Sequence, residues 1–293
     1  MKSMDLAKWI LITEWFWPEN ENRQKELTRT LFENLESNEL EKVVIYAETL
    51  EGLDDFLRDE KLEIFASLSR PTYRSLIEDA NSYAPNRQIV IANNDISFRY
   101  FENFESNKST VYCSTRYELH GNDLIWFDDI YDHRVKGNKK KNHIWSQDAW
   151  FFHTPLDLKG GNYVMGTPAC DNKIARHFMM SGYRILNNGR DIKLAHHHEE
   201  LGRNYNKTKL PSPYLYPAIT GKNRIVFFPK HPPYGSKLRF HNWHIWRSLF
   251  LSRWDFLFTL RLLINKFFFK KKSSYDLEYD PALKWQRRRT KTS

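Results

Sequence analysis

Between residues 8 and 92, apolar runs of strand length alternate with segments of helical period, and that alternation confines the chain to an α/β fold around a mainly parallel sheet. Lys8–Thr13, Val43–Ala47, Leu62–Ala66 and Gln88–Ala92 read as strands. Leu27, Leu31, Phe32 and Leu35 recur at spacings of three and four, which gives a helix through Glu36 one apolar face. Pro71 opens a second helix through Leu76, Ile77 and Ala80, as proline in a first turn often does. The polar run Asn93-Asn94-Asp95 follows the fourth strand without a break. Open α/β sheets bind ligands outside the carboxyl ends of their strands, so this run stands where a ligand would. A carboxylate there suits a hard divalent cation such as Mg²⁺ or Mn²⁺ bridging two phosphates, although Asn and Asp also favour plain turns.

Charge placement narrows the partners. The 293 residues carry a formal +9, and residues 261–293 hold ten Lys/Arg against three Asp/Glu, or +7, which leaves the body near +2. A basic tail on a nearly neutral body argues for an anionic surface and against a nucleic-acid groove. With 41% hydrophobic and 15% aromatic residues the chain can bury a substantial core. Its two cysteines, Cys113 and Cys170, make no disulfide framework, and a reducing compartment is the default. The apolar run Trp9–Ile12 is too short for a signal peptide, and no apolar stretch of membrane-spanning length occurs. The expected location is the cytoplasm, or the cytosolic face of a membrane.

The stretch from Ser146 to His198 carries the densest pattern. It runs Ser146-Gln-Asp-Ala-Trp150, Gly166-x-x-x-Cys170-Asp171-Asn172, a helical segment, and His196-His197-His198. Asp171 or Asn172 can cap a helix whose buried face is Ile174, Ala175, Phe178 and Met179 and which Gly182 stops. Asp191–Ala195 reads as a strand, so His196 and His198 share a face and His197 lies opposite. Arg116, after the β-rich run Ser109–Thr115, has the planar fork to neutralise a diphosphate or to pair with a neighbouring carboxylate. Arg23 and Glu26 open the first helix near the ligand end of the sheet, and Asn138–Asn142 reads as a solvated loop.

In this order the motifs resemble bacterial and viral sugar transferases of polysaccharide biosynthesis with the GT-A, or nucleotide-diphospho-sugar transferase, fold. The likeness covers roughly residues 8–206. It implies a Rossmann-like mixed, mainly parallel sheet, an inverting transfer of sugar from a nucleotide-diphosphate donor to a hydroxyl of a glycan or glycolipid, and a divalent cation, Mn²⁺ or Mg²⁺. Carried over by position, Asn93, Asn94 and Asp95 would hold the sugar nucleotide, and Asp95 with His196 or His198 the metal. Asp171 would be the general base and Asp148 would orient a sugar. The chain departs from the pattern at Asn93, where the family has Asp, and at Cys170, where it has an acid. A non-catalytic nucleotide-sugar or glycan-binding protein of the same fold, and a metal-dependent phosphoesterase built on Asp95 and the histidines, are the other readings.

From Leu210 prolines break up regular structure, which suggests a catalytic domain over 1–210 and a Pro-rich linker with a helical extension over 211–293. In the extension Trp243, Trp246, Leu249, Phe250, Trp254, Leu257 and Phe258 recur at helical spacing before Phe267–Lys272. Aromatic rings beside lysines suit a membrane interface, and equally an accessory helix packed on the domain. Each basic residue near an anionic bilayer contributes about 1 kcal/mol, so the intact chain should sediment with anionic liposomes and release as salt rises. Removal of the extension should abolish that binding. Cosedimentation that is absent at low salt, or that survives the removal, would leave the packed-helix reading.

Overall fold

The computed structural model describes residues 7–104, 106–120, 123–126, 147–189 and 191–197, together with positions 210, 211, 214, 215, 217, 220, 221, 224 and 225. A seven-stranded sheet forms the centre. It contains β1 (Trp9–Trp15), β2 (Leu40–Ala47), β3 (Leu62–Ala66), β4 (Gln88–Ala92), β6 (Thr110–Ser114), β9 (Ala149–His153) and β10 (Arg184–Asn187), in the order β10-β6-β9-β4-β1-β2-β3. All pairings are parallel except the two made by β9, which runs against β4 and β6. A smaller sheet, β5 (Ile96–Ser97), β11 (Ala195–His196), β7 (Tyr117–His120) and β8 (Asp123–Trp126), lies beyond the carboxyl end of β4. A two-stranded ladder pairs β12 (Thr220–Gly221) with β13 (Arg224–Ile225).

Every residue of β1 is buried, because it lies between layers on both faces. Its period of two splits the side chains between two cores. Ile10 and Ile12 join Leu76, Ile77 and Ala80 of α2 (Tyr73–Tyr83) and Ile174, Ala175 and Phe178 of α3 (Cys170–Met180). Trp9, Leu11 and Trp15 join Leu27, Leu31 and Leu35 of α1 (Glu21–Glu36). Phe32, assigned to the same stripe from sequence, is 55% exposed. One residue on from Leu31 is about 100° round the helix, and the core face there is completed by Thr30, Glu33 and Asn34 instead.

Two other local readings are corrected. Thr72, not Pro71, starts α2: its hydroxyl accepts from the Ser75 N–H while the Ser75 hydroxyl accepts from the Thr72 N–H, a reciprocal capping box. Asp191–Ala195 is mostly a turn, with the N–H groups of Asp191 and Ile192 both donating to the Asn188 carbonyl, and only Ala195 and His196 pair as a strand. The end of α3 is as read: Gly182 takes φ 101°, and the Gly182 and Tyr183 N–H groups close on Met179 and Phe178.

The chain turns back at β1. From β1 it winds outward through β2 to β3, then crosses under α2 to place β4 on the other side of β1. The crevice at that reversal, outside the carboxyl ends of β1 and β4, is where open α/β sheets take ligands. The packed body also runs past residue 210: Leu210 and Leu215 are buried in the α2–α3 core, and their N–H groups donate to Pro168 and Asn172. The aromatic and basic segment 226–293 and loop 138–142 lie outside the described residues. Among those described, no helix is long and apolar enough to cross a membrane. If Leu215 belongs to the domain, Leu215→Ala should cost about 2–5 kcal/mol in denaturant unfolding. A loss within about 0.5 kcal/mol, the range of surface substitutions, would make the segment peripheral.

Candidate functional site

The site grows from three segments that meet at the reversal: the first turns of α1, the Asn93-Asn94-Asp95 turn after β4, and the short strand β11, which lies between β5 and β7. Asn20 caps α1 by accepting from the Arg23 N–H at 2.9 Å, which sets Arg23 and, one turn on, Glu26 on the side facing the turn. The Arg23 guanidinium then spans two carboxylates. Nη1 pairs with Glu26, and Nη2 donates to Asp95 Oδ2 at 2.9 Å and to Asn94 Oδ1 at 3.3 Å. His196 stands on the other side of Asp95, its Nε2 3.5 Å from Oδ2 and its Nδ1 2.7 Å from Glu118 Oε2. Parallel pairing of β11 with β7 sets Glu118 directly opposite His196.

Glu118 passes the chain of contacts on. Arg116 donates through Nε to Glu118 at 3.2 Å and through Nη1 to both oxygens of Asp148, at 2.8 and 2.9 Å. Asp148, just before β9, also accepts from the Asn93 side chain at 3.2 Å. Glu26, Arg23, Asp95, His196, Glu118, Arg116 and Asp148 thus form one continuous, buried or half-buried line of alternating charge. Burial and the Arg116 charge press His196 towards its neutral form, but Asp95 and Glu118 outweigh them and raise its pKa. Burial likewise disfavours the Arg116 cation, and Asp148 and Glu118 more than restore it.

Asp171 lies at the far end, partly exposed in the first turn of α3. It does not cap the helix. Ala169 occupies the N-cap in the left-handed region, φ 70°, without a side-chain cap bond. Asp171 Oδ1 accepts instead from the Cys170 thiol at 3.2 Å, and its carboxylate also accepts the Gln147 N–H. Burial pushes its pKa from 3.8 up to about 7, and the Asp148 charge adds to the rise. Cys170, where the resemblance leads one to expect an acid, is buried and its thiol is held neutral by burial and by Asp171.

Glu26, Asp95 and His196 each offer one ligand atom, all within 4.8 Å of one another, and so could hold a metal ion. The donor set fits a divalent cation. Two carboxylate oxygens and one imidazole nitrogen suit Mn²⁺ or Mg²⁺ with water completing the shell. Glu118 on His196 Nδ1 orients the ring as outer partners of ligating histidines do. Along the line of contacts four carboxylates face two guanidiniums, which leaves a formal −2 when His196 is neutral.

The residues singled out from sequence fall unevenly on this arrangement. Asp95 and His196 come together, and His198 lies outside the described residues. Asn93 and Asn94 face Asp148 and Arg23. Asp95 is 3% exposed, inside the protein rather than on an open turn. The described contacts of Arg116 go to Asp148 and Glu118, so its fork is engaged by carboxylates within the protein and not presented to a diphosphate. His197 turns the other way, to Glu33 at 2.9 Å. Glu118 was missed as a participant, because its role depends on register with a strand nearly eighty positions away. Compared with known proteins, the sequence matches no protein-family model and no curated protein.

Asp171 has a consequence for stability. A carboxyl whose folded pKa exceeds its unfolded value binds its proton more tightly in the native state, so stability falls as pH rises from the ordinary 3.8 towards about 7. Asp171→Asn, uncharged at every pH, should match the parent below pH 4 and melt at a higher temperature above pH 7. A melting difference that is the same at both ends would contradict the raised pKa.

Proposed function

We propose that the chain is an inverting glycosyltransferase of GT-A type, moving a sugar from a nucleotide diphosphate to a hydroxyl of a glycan or glycolipid. What carries the reading is the pairing of two centres at the ligand end of the sheet. One is the group from α1, the turn after β4 and β11 that could hold a cation, and the other is a partly exposed carboxyl of raised pKa on α3. The mixed, mainly parallel sheet with its reversal at β1 supports it as well.

In this reaction the acceptor oxygen forms a bond to the anomeric carbon as the bond from that carbon to the diphosphate oxygen breaks. The electron pair leaves with the diphosphate, and the acceptor proton passes to Asp171. A base with a pKa near the working pH is both ionised often enough and basic enough for that transfer. Asp148, gripped by Arg116 and Asn93, stands beside Asp171, and its charge adds to the rise that makes Asp171 basic. Glu26, Asp95 and His196 would hold a divalent cation, which would supply positive charge to the leaving diphosphate. The basic segment 261–293 would bring the enzyme to an anionic membrane face bearing its acceptor.

The two-carboxylate-plus-imidazole group also favours a metal-dependent phosphoesterase as the second reading. A panel of nucleotide sugars separates them: transfer to an added glycan or glycolipid supports the first, and phosphate release without sugar transfer the second. A general base contributes about 10²–10⁴-fold, so Asp171→Asn should lower turnover on that scale while nucleotide-diphosphate affinity stays within about twofold. Near-parental transfer by the variant would remove Asp171 from the chemistry.

A further inference from the structure

We infer that Arg23 is a placeholder in the cation site, displaced when a divalent cation binds and thereby delivered to the diphosphate. The inference rests on the site being one for a nucleotide diphosphate. Its fork occupies the space between Glu26 and Asp95, two of the three groups that could ligate the ion. Guanidinium and ion therefore compete for the same oxygens. Of the three side chains Arg23 has the route out: it is 15% exposed, against 0% for Glu26 and 4% for Asp95. It sits in the first turn of α1, on a long flexible stem.

Charge gives the order of events. Four carboxylates against two guanidiniums make the metal-free floor formally −2, and a dianionic or trianionic diphosphate would be repelled from it. A divalent cation that turns Arg23 outward brings the floor to a formal −1 with His196 neutral, and Arg23 carries its own charge to the mouth, which becomes positive as the ion arrives. Asn94 independently points to an anionic occupant. It is 8% exposed, its Oδ1 faces Arg23, and its Nδ2 is a buried donor with no hydrogen-bond partner among the described residues. A buried N–H group of this kind calls for an acceptor, and a phosphate oxygen in the space left by Arg23 would be one.

The test measures binding on the full chain, with Mn²⁺ alone and then with inorganic pyrophosphate, by titration calorimetry. Apparent affinity is reduced by the fraction of time the site is blocked, so Arg23→Met should bind Mn²⁺ about tenfold more tightly than the parent. The same variant, saturated with Mn²⁺, should bind pyrophosphate about tenfold more weakly. Glu26→Gln should lose Mn²⁺ affinity by about tenfold or more. Should Arg23→Met fail to fold, Arg23→Lys decides, since an ammonium cannot span both carboxylates and should also bind Mn²⁺ more tightly than the parent. Mn²⁺ affinity no higher than parental in the folded Arg23 variants, or pyrophosphate affinity unchanged in Arg23→Met, overturns the inference. Tighter Mn²⁺ binding without any sugar transfer would uphold the placeholder and count against the transferase. Transfer by a protein whose Arg23 variants bind Mn²⁺ as the parent does would do the reverse.

Discussion

A carboxylate taken out of water must find a cation or give up its charge, and that requirement organises the ligand end of this molecule. Glu26, Asp95, Glu118 and Asp148 are all buried within one ion-pair line. Each sits on a different element: α1, the turn after β4, β7, and the segment before β9. Satisfying them therefore draws four separate elements to one place. Removing one partner would strand a buried charge at a cost of about 3–5 kcal/mol, more than most surface contacts can return. The network is thus a constraint on where the small sheet can dock as well as a candidate site.

A second polar cluster fixes the same docking from the other side. Glu33 of α1 accepts from the Ser97 hydroxyl at 2.6 Å and pairs with His197 at 2.9 Å and with Arg29 at 3.1 Å. Asn34 donates to the Ile96 carbonyl at 3.0 Å and accepts the Phe98 N–H at 2.7 Å. Adjacent histidines are thus divided between the clusters, His196 to Asp95 and His197 to Glu33. That division holds the short strand β11 in register, because a one-residue slip would exchange the two and unpair both. The polar residues on the inner face of α1, which displaced Phe32 to the surface, have their explanation here.

The large sheet was legible because its signals are local. Apolar runs bounded by polar turns marked β1 to β4, and the stripe Ile174, Ala175, Phe178 and Met179 with Gly182 marked α3. Asp95 and His196 were legible too, the first by its place after a strand and the second by its cluster. What escaped depends on contacts between distant positions. Glu118 acts because β11 pairs with β7, and Arg116 is engaged because Asp148 arrives beside it on the approach to β9. The cap reading of Asp171 failed for another reason. Ala169, in a left-handed conformation uncommon for its type, begins the helix two residues earlier and leaves the Asp171 carboxyl to Cys170 and Gln147.

That early start matters for the chemistry. A carboxylate that caps a helix accepts backbone N–H groups, and such bonds favour its charged form and lower its pKa. Moving the cap to a residue with no acceptor side chain removes that stabilisation. One weak thiol donor and one N–H group from Gln147 remain. Burial and the Asp148 charge then prevail, and the carboxyl becomes basic enough to take a proton near neutrality. Arg116 keeps the balance from going further: it grips both oxygens of Asp148, and its own charge moderates the rise at Asp171. The basicity of Asp171 therefore depends on Arg116 and Asp148, the end of the same line of contacts that runs through Glu118 and His196 to Asp95.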